Sequence, residues 1–197
     1  MLDILSTLLV VFVLLPILYF TSQNFNNIFS LTLLILISVP TVMAMINGAP
    51  FVPTPMDRVR SMVKMAKIKK GQKVYDIGCG DGRFVYVAAN DYGADATGIE
   101  LSPLVYLLAK VRQFFWKSKA KIVFGDFKMR NLSDANIIFC YLLPESLAKI
   151  QPQLNKQIKK GTRIYSYAFQ IPGWKLIHKE ERVASQNLAP IFVYEKV

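Results

Sequence analysis

The sequence predicts an α/β domain: a doubly wound, mainly parallel sheet with helices on both faces, set behind an N-terminal transmembrane helical hairpin. Three observations predict it. The first 56 residues carry one charged side chain, Asp3, and two long apolar runs. Beyond them, short apolar segments of strand length alternate with segments of helical periodicity, the signature of a parallel sheet with crossover helices. The first of those strands runs into VYDIGCGDGRF (residues 74–84), a glycine at every second position before a helix.

The leader comes first. Residues 4–20 and 28–46 are uncharged and apolar, close to the length of about 20 residues that a spanning helix needs. The polar, uncharged connector TSQNFNN (residues 21–27) suits a hairpin turn. A cleaved signal peptide would start with basic residues and end at a small-residue site, and neither is present. Positive charge begins only after the second run, with Arg58, Arg60, Lys64, Lys67, Lys69 and Lys70. The positive-inside rule therefore puts both ends in the cytoplasm. We expect residues 1–48 as membrane anchor, 49–56 as a proline-rich joint and 57–197 as the catalytic domain. That domain holds all 24 Lys and Arg against 12 acids, a net +12. Cys79 and Cys140 then sit in a reducing compartment, and two cysteines with one histidine, His178, do not make a zinc site. His178 reads as an ordinary strand residue.

The elements follow in order. Thr54-Pro55-Met56-Asp57 reads as a helix start with Thr54 as N-cap. Val59, Met62, Val63 and Ala66 recur at helical spacing, so the helix should reach about Ile68. Residues 73–77 read as a strand, 82–90 as a helix that Asp81 would cap, 96–100 as a strand and 102–117 as a helix. Strands at 121–124 and 136–141, a helix at 144–154 and a strand at 162–167 come next. Two closing strands, at 175–183 and 191–195, lack a helix between them and predict an antiparallel edge.

The glycine loop is neither of two common phosphate binders. It lacks the Gly-Lys-Ser/Thr of a P-loop, and its third glycine stands one place too early for a dinucleotide fingerprint. Gly78, Gly80 and Gly82 let backbone pass where a Cβ would collide. Three acids stand at three successive strand ends. These are Asp76 before the loop, Glu100 after the second strand, where an acid can take both ribose hydroxyls, and Asp126 after the third, where it can accept from an adenine amino group. Acids in a basic domain suit a cationic ligand such as S-adenosylmethionine better than a diphosphate.

Residues 75–83 resemble motif I of the seven-strand, Rossmann-like S-adenosylmethionine-dependent methyltransferases. The segment PFVPTP (residues 50–55), then a helix, then motif I, is similar to the archaeal broad-specificity protein lysine methyltransferases. It is also similar to their membrane-anchored mitochondrial relatives, which modify lysine on the ATP synthase c subunit and the adenine nucleotide translocase. The stretch GTRIYSYAFQIPGW (residues 161–174) resembles the family's late strand and Gly-Trp turn. The resemblance implies that Asp76, Gly78 and Gly80 form the cofactor loop, Glu100 with Leu101 the ribose site, and Asp126 with Phe127 the adenine pocket. Thr54 falls in a segment implied to close over the cofactor. Where archaeal relatives read Ser-His-Glu-Phe, this chain has Ser166-Tyr167-Ala168-Phe169.

The resemblance implies methyl transfer to a deprotonated lysine amine by in-line displacement. Such a reaction needs no metal and can draw up to roughly 7–11 kcal/mol from alignment alone. Tyr141 and Tyr167 are the candidate catalytic residues, as lining of the acceptor channel, although either also reads as core. CYLLP (residues 140–144) lacks the Asp/Asn-Pro-Pro-Tyr/Phe signature of enzymes that methylate planar amino groups. The expected partners are a protein substrate at or in the membrane and the bilayer itself, whose anionic lipid the basic residues would meet. Nucleic acid is not expected, since no arginine-rich run or aromatic-interleaved basic strand stands out. Two rivals remain at this point: a small-molecule, lipid or quinone methyltransferase, and a non-catalytic cofactor-binding membrane module.

Overall fold

A computed structural model describes residues 32, 35, 36, 51–186 and 188–197. The chain falls into two compact units, Met1–Met43 and Ala44–Val197. In the first, Thr32, Ile35 and Leu36 are helical, and the rest of both expected spans lies outside the described residues. No helix among the described residues is long and apolar enough to cross a membrane.

The second unit is the expected α/β sandwich. Its elements are α1 (Met56–Met65), β1 (Lys73–Ile77), α2 (Arg83–Tyr92), β2 (Asp95–Glu100), α3 (Pro103–Phe115) and β3 (Lys121–Phe124). They continue with β4 (Ile137–Cys140), α4 (Pro144–Gln157), β5 (Arg163–Tyr167), β6 (Leu176–Glu180) and β7 (Ile191–Glu195). The strands form one sheet in the order β3-β2-β1-β4-β5-β7-β6. The first five are parallel, and β7 pairs antiparallel with both β5 and β6. The antiparallel edge expected at the C-terminus is therefore present, with the last strand inserted between the two before it.

Period-two alternation feeds two cores, one on each face of the sheet. Phe139, Tyr165 and Val193 point into a core with Val59, Met62 and Val63 of α1, Phe84 and Tyr86 of α2 and Ala109 of α3. Ile138, Ile164 and Tyr194 point into the other, with Leu147, Ile150 and Leu154 of α4. Both faces are covered, so the central strands carry nearly continuous apolar runs such as IIFC, buried at every position.

Two expected caps are corrected. α1 starts one residue later than its sequence signature: Pro55 occupies the N-cap and no side chain caps the helix. Thr54 is buried outside it, its carbonyl taking a hydrogen bond from Arg83 Nη1. Asp81 does not cap α2 either. Gly82 is the N-cap, and the Asp81 carboxylate is held instead by Arg83 and by Arg112 of α3. At Asp81 the two arginines take the carboxylate that the cap would have used, whereas Thr54 simply stands one residue before the N-cap. α1 also ends at Met65 rather than near Ile68.

The loop glycines are sterically required. Gly82 has φ +83°, and a Cβ on it would run into the Tyr86 ring. Tyr86 is fully buried with its hydroxyl donating to the Ala109 carbonyl at 2.5 Å, so the ring has nowhere to move. Gly82→Ala should therefore lower unfolding free energy by about 2–4 kcal/mol, the sum of left-handed strain and overpacking. The urea midpoint of the purified protein measures it, and an unchanged midpoint would contradict the packing described.

Candidate active site

The sheet reverses direction of growth between β1 and β4, since β2 and β3 lie on one side and β5 on the other. Ligands in open α/β sheets bind at such a switch point, outside the carboxyl ends of the strands. All the residues singled out from the sequence stand on that edge, or, for Thr54, on the segment tied to it.

Asp76 lies in β1, next to Gly98 of β2 and Phe139 of β4. Its side chain is buried and makes no hydrogen bond or ion pair among the described residues. Burial first, then the neighbouring Glu100 and Asp81 carboxylates, pushes its pKa well above the ordinary range. Glu100, at the end of β2, accepts from the Gly80 amide at 2.9 Å and from the Ser102 amide at 2.8 Å. Burial raises its pKa too, against the opposing pull of the Ser102, Gly80 and Leu101 amides. Each of its oxygens keeps a lone pair for a further donor. Leu101 follows it, half-buried.

The amides of the three loop glycines are spent. Gly78 and Cys79 both donate to the Ile99 carbonyl, Gly80 to Glu100 and Gly82 to the Cys79 carbonyl. A phosphate cradle needs these donors free. Asp81 is paired with Arg83 and Arg112, which leaves Asp76 and Glu100 without a counter-charge, so the arrangement attracts a cation and repels a diphosphate. The residues thus fit S-adenosylmethionine, whose ammonium and sulfonium are both positive. Cys79 is buried among the same acids, and burial first, then Asp76, pushes its thiol well up, so it stays protonated. Its sulfur occupies the space above Gly98, where a Cβ would lie 2.7 Å from Sγ.

Asp126 follows β3, and its carboxylate accepts from the Lys128 amide at 2.9 Å, capping the short turn Phe127–Met129. Phe127 is buried beneath it. Tyr141 and Tyr167, from the ends of β4 and β5, meet edge to face with ring centroids 4.9 Å apart. Phe169 stacks on Tyr141 at 6.4 Å. The Tyr167 hydroxyl accepts from the Ala189 amide at 3.1 Å, and Ala168 takes a left-handed φ of 69° in the turn that follows. Burial, then Tyr167, raises the pKa of the half-buried Tyr141, so its phenol stays neutral. The acids thus stand on one side of the switch point and the aromatic wall on the other.

Sequence reasoning missed two contributors. The Phe51 ring lies over Gly80, where a Cβ would come within 2.8 Å of it. Arg83 joins the Thr54 carbonyl to the Asp81 carboxylate, tying the joint to the glycine loop. Arg83 belonged to the quoted motif; its partner 29 residues earlier left no local signal.

The ANTKMT methyltransferase domain is the family whose pattern matches the chain, over residues 76–178. A protein-lysine N-methyltransferase of Saccharolobus islandicus (strain REY15A) is 36% identical over 135 residues, covering 67% of this chain and 84% of that protein. The Homo sapiens lysine N-methyltransferase named for the ATP synthase c subunit is 27% identical over 150 residues, and the match spans 74% of this chain but only 61% of the human protein. Among solved structures, an RNA methyltransferase from Salinibacter ruber in complex with S-adenosyl-L-homocysteine superposes with a TM-score of 0.67. It is 29% identical, over 73% of this chain and 93% of that one. Fold and relatives together define a seven-strand, S-adenosylmethionine-dependent methyltransferase. The chain belongs to the ANTKMT methyltransferase domain family.

Asp76 gives a test in which stability and binding move oppositely. Its folded pKa is raised above the unfolded value of about 3.8, so the protonated acid stabilises the fold at low pH. That contribution is lost as pH rises through the raised pKa. Asp76→Asn should therefore raise the thermal midpoint of the free protein near neutral pH. It should also weaken S-adenosylmethionine binding by at least about thirtyfold, the cost of removing one partner of a buried charge pair. Calorimetric titration and a melting curve on one sample check both. Equal binding by variant and wild type would remove Asp76 from the site.

Proposed function

We propose that this methyltransferase is a membrane-anchored protein-lysine N-methyltransferase acting on a protein at or in the membrane. The observation that carries the reading is the unpaired, buried Asp76 beside a loop whose three glycine amides are spent. In this reading Asp76 faces the ammonium of the cofactor's methionyl part and Glu100 takes the ribose hydroxyls. Asp126 accepts from the adenine amino group, with Leu101 and Phe127 as apolar walls, and Gly78 and Gly80 bring backbone into contact. Thr54 and Phe51, held through Arg83, cover the ligand. The bound cofactor supplies an electrophilic methyl group on a sulfonium.

Tyr141, Tyr167 and Phe169 line the acceptor's approach. Tyr141 is neutral and serves as a wall and hydrogen-bond partner rather than a base. The amine must therefore shed its proton before attack, which an apolar channel favours by desolvating the ammonium form. The freed nitrogen lone pair would then face the methyl group that the cofactor's sulfonium would supply, with Tyr141, Tyr167 and Phe169 holding the amine in line. Protein lysine is supported by the relatives named as lysine methyltransferases and by the CYLLP wall. The membrane anchor is supported by the two uncharged runs in residues 1–48 and by the cations that follow them. In this reading the catalytic domain lies on the cytoplasmic side.

Incubating the protein in its native membranes with methyl-labelled cofactor tests the acceptor. Label should appear in protein and survive hydrolysis as methyl-lysine. The rate should climb about tenfold per pH unit below the amine pKa of about 10.4. Label confined to the lipid extract would replace this reading with a lipid or quinone methyltransferase. Cofactor binding without any transfer would leave only the non-catalytic module.

A further inference from the structure

Helix α3 does not behave like the other helices of the domain. Ala109 is its only fully buried residue in thirteen, whereas α2 buries five and α4 four. Its uncovered surface is not polar. Leu107, Leu108, Val111, Phe114 and Phe115 are exposed, the two phenylalanines at 78% and 74%. Their spacing of three and four places them on one helical face. Contiguous apolar surface of this kind marks an interaction site on an otherwise soluble domain.

The charge around this face has one sign. From Leu101 to Gly125 the chain has five cations and no acid. Arg112 is engaged by Asp81 and Lys121 by Asp95. Lys110, Lys117 and Lys119 are exposed and have no acidic partner among the described residues. Lys110, Lys117 and Ser118 border an open groove of about 580 Å³ whose other walls are Gln113, Phe114 and Phe115.

We propose that this face of α3 docks on an anionic lipid surface. Phe114 and Phe115 enter the boundary between headgroups and acyl chains, and Lys110, Lys117 and Lys119 meet lipid phosphates. An amphipathic helix with aromatic residues on its apolar face and lysines beside it lies in the plane of the interface. The chemistry favours lipid over a second copy of this chain, because two such faces would bring together like charges with no acid to offset them. The inference rests on the membrane reading only in that the domain must meet a bilayer. Because α3 starts directly after Glu100-Leu101-Ser102, docking along its length would set the carboxyl edge of the sheet beside the membrane, opening sideways along its surface.

The full-length protein carrying Phe114→Cys can be labelled with a nitroxide there alone, since Cys79 and Cys140 are buried. We would compare oxygen and aqueous nickel-chelate collision rates in phosphatidylcholine vesicles with and without about 30% phosphatidylglycerol. The oxygen-to-nickel ratio should be at least about threefold higher than for a label at Lys160→Cys, and should rise with anionic lipid. Combined Lys110→Glu, Lys117→Glu and Lys119→Glu substitution should abolish that rise. Equal ratios at the two positions in both vesicles would overturn the proposal. So would dipolar broadening that grows with protein density, which reports a second copy on the face. Alkaline carbonate extraction is read separately: release of the protein would refute the two-span anchor. Flotation with anionic vesicles, lost on lysine reversal, would still report α3.

Discussion

The arrangement of the site turns on a buried carboxylate without a counter-charge. Asp76 is buried, its nearest charged neighbours are Glu100 and Asp81, and every cation close to the loop is already committed to Asp81. Such a group is unfavourable in the free protein and becomes favourable when a cation arrives. Much of the surrounding architecture can be read as what makes that placement survivable. Glu100 is neutralised in part by backbone amides, Asp81 is doubly clamped by arginines, and both cores press on the strands from opposite faces.

The same arginines give the site its mechanical unity. Asp81 receives Arg83 from the first turn of α2 and Arg112 from α3, while Arg83 reaches on to the Thr54 carbonyl. At the far side, buried Arg58 of α1 pairs with Glu180 of β6 and donates to the Glu181 carbonyl at 3.1 Å. The segment before α1 is thus held from two directions, by the glycine loop and, through the helix, by the edge of the sheet. A covering segment fixed this way moves with the loop it covers.

How much of this was legible in the sequence depends on the range of the interaction. The strands were, because their periodicity is local: 121–124 and 191–195 fall where β3 and β7 lie. Asp76, Glu100 and Asp126 were, because a strand end followed by glycine or a turn fixes where the side chain stands. The caps at Thr54 and Asp81 were misread, the first because the helix starts one residue later, the second because Arg83 and Arg112 take the carboxylate. The Phe51 ring over Gly80 and the bare face of α3 were not legible at all. Helical spacing identifies an apolar face but does not say whether anything covers it. The insertion of β7 between β5 and β6 also follows from tertiary pairing rather than from any local signal.

The close approach of Cys79 to Gly98 has a consequence of its own. The two positions, on the loop and on the neighbouring strand, share the volume of one small side chain, and at present the cysteine holds all of it. Neither is free to drift alone. A larger residue at 98 requires a vacancy at 79, and the pair can exchange occupancy only as a correlated step. Such a coupled pair beneath a ligand loop narrows the routes by which the pocket can be reshaped, independently of any residue that touches the ligand.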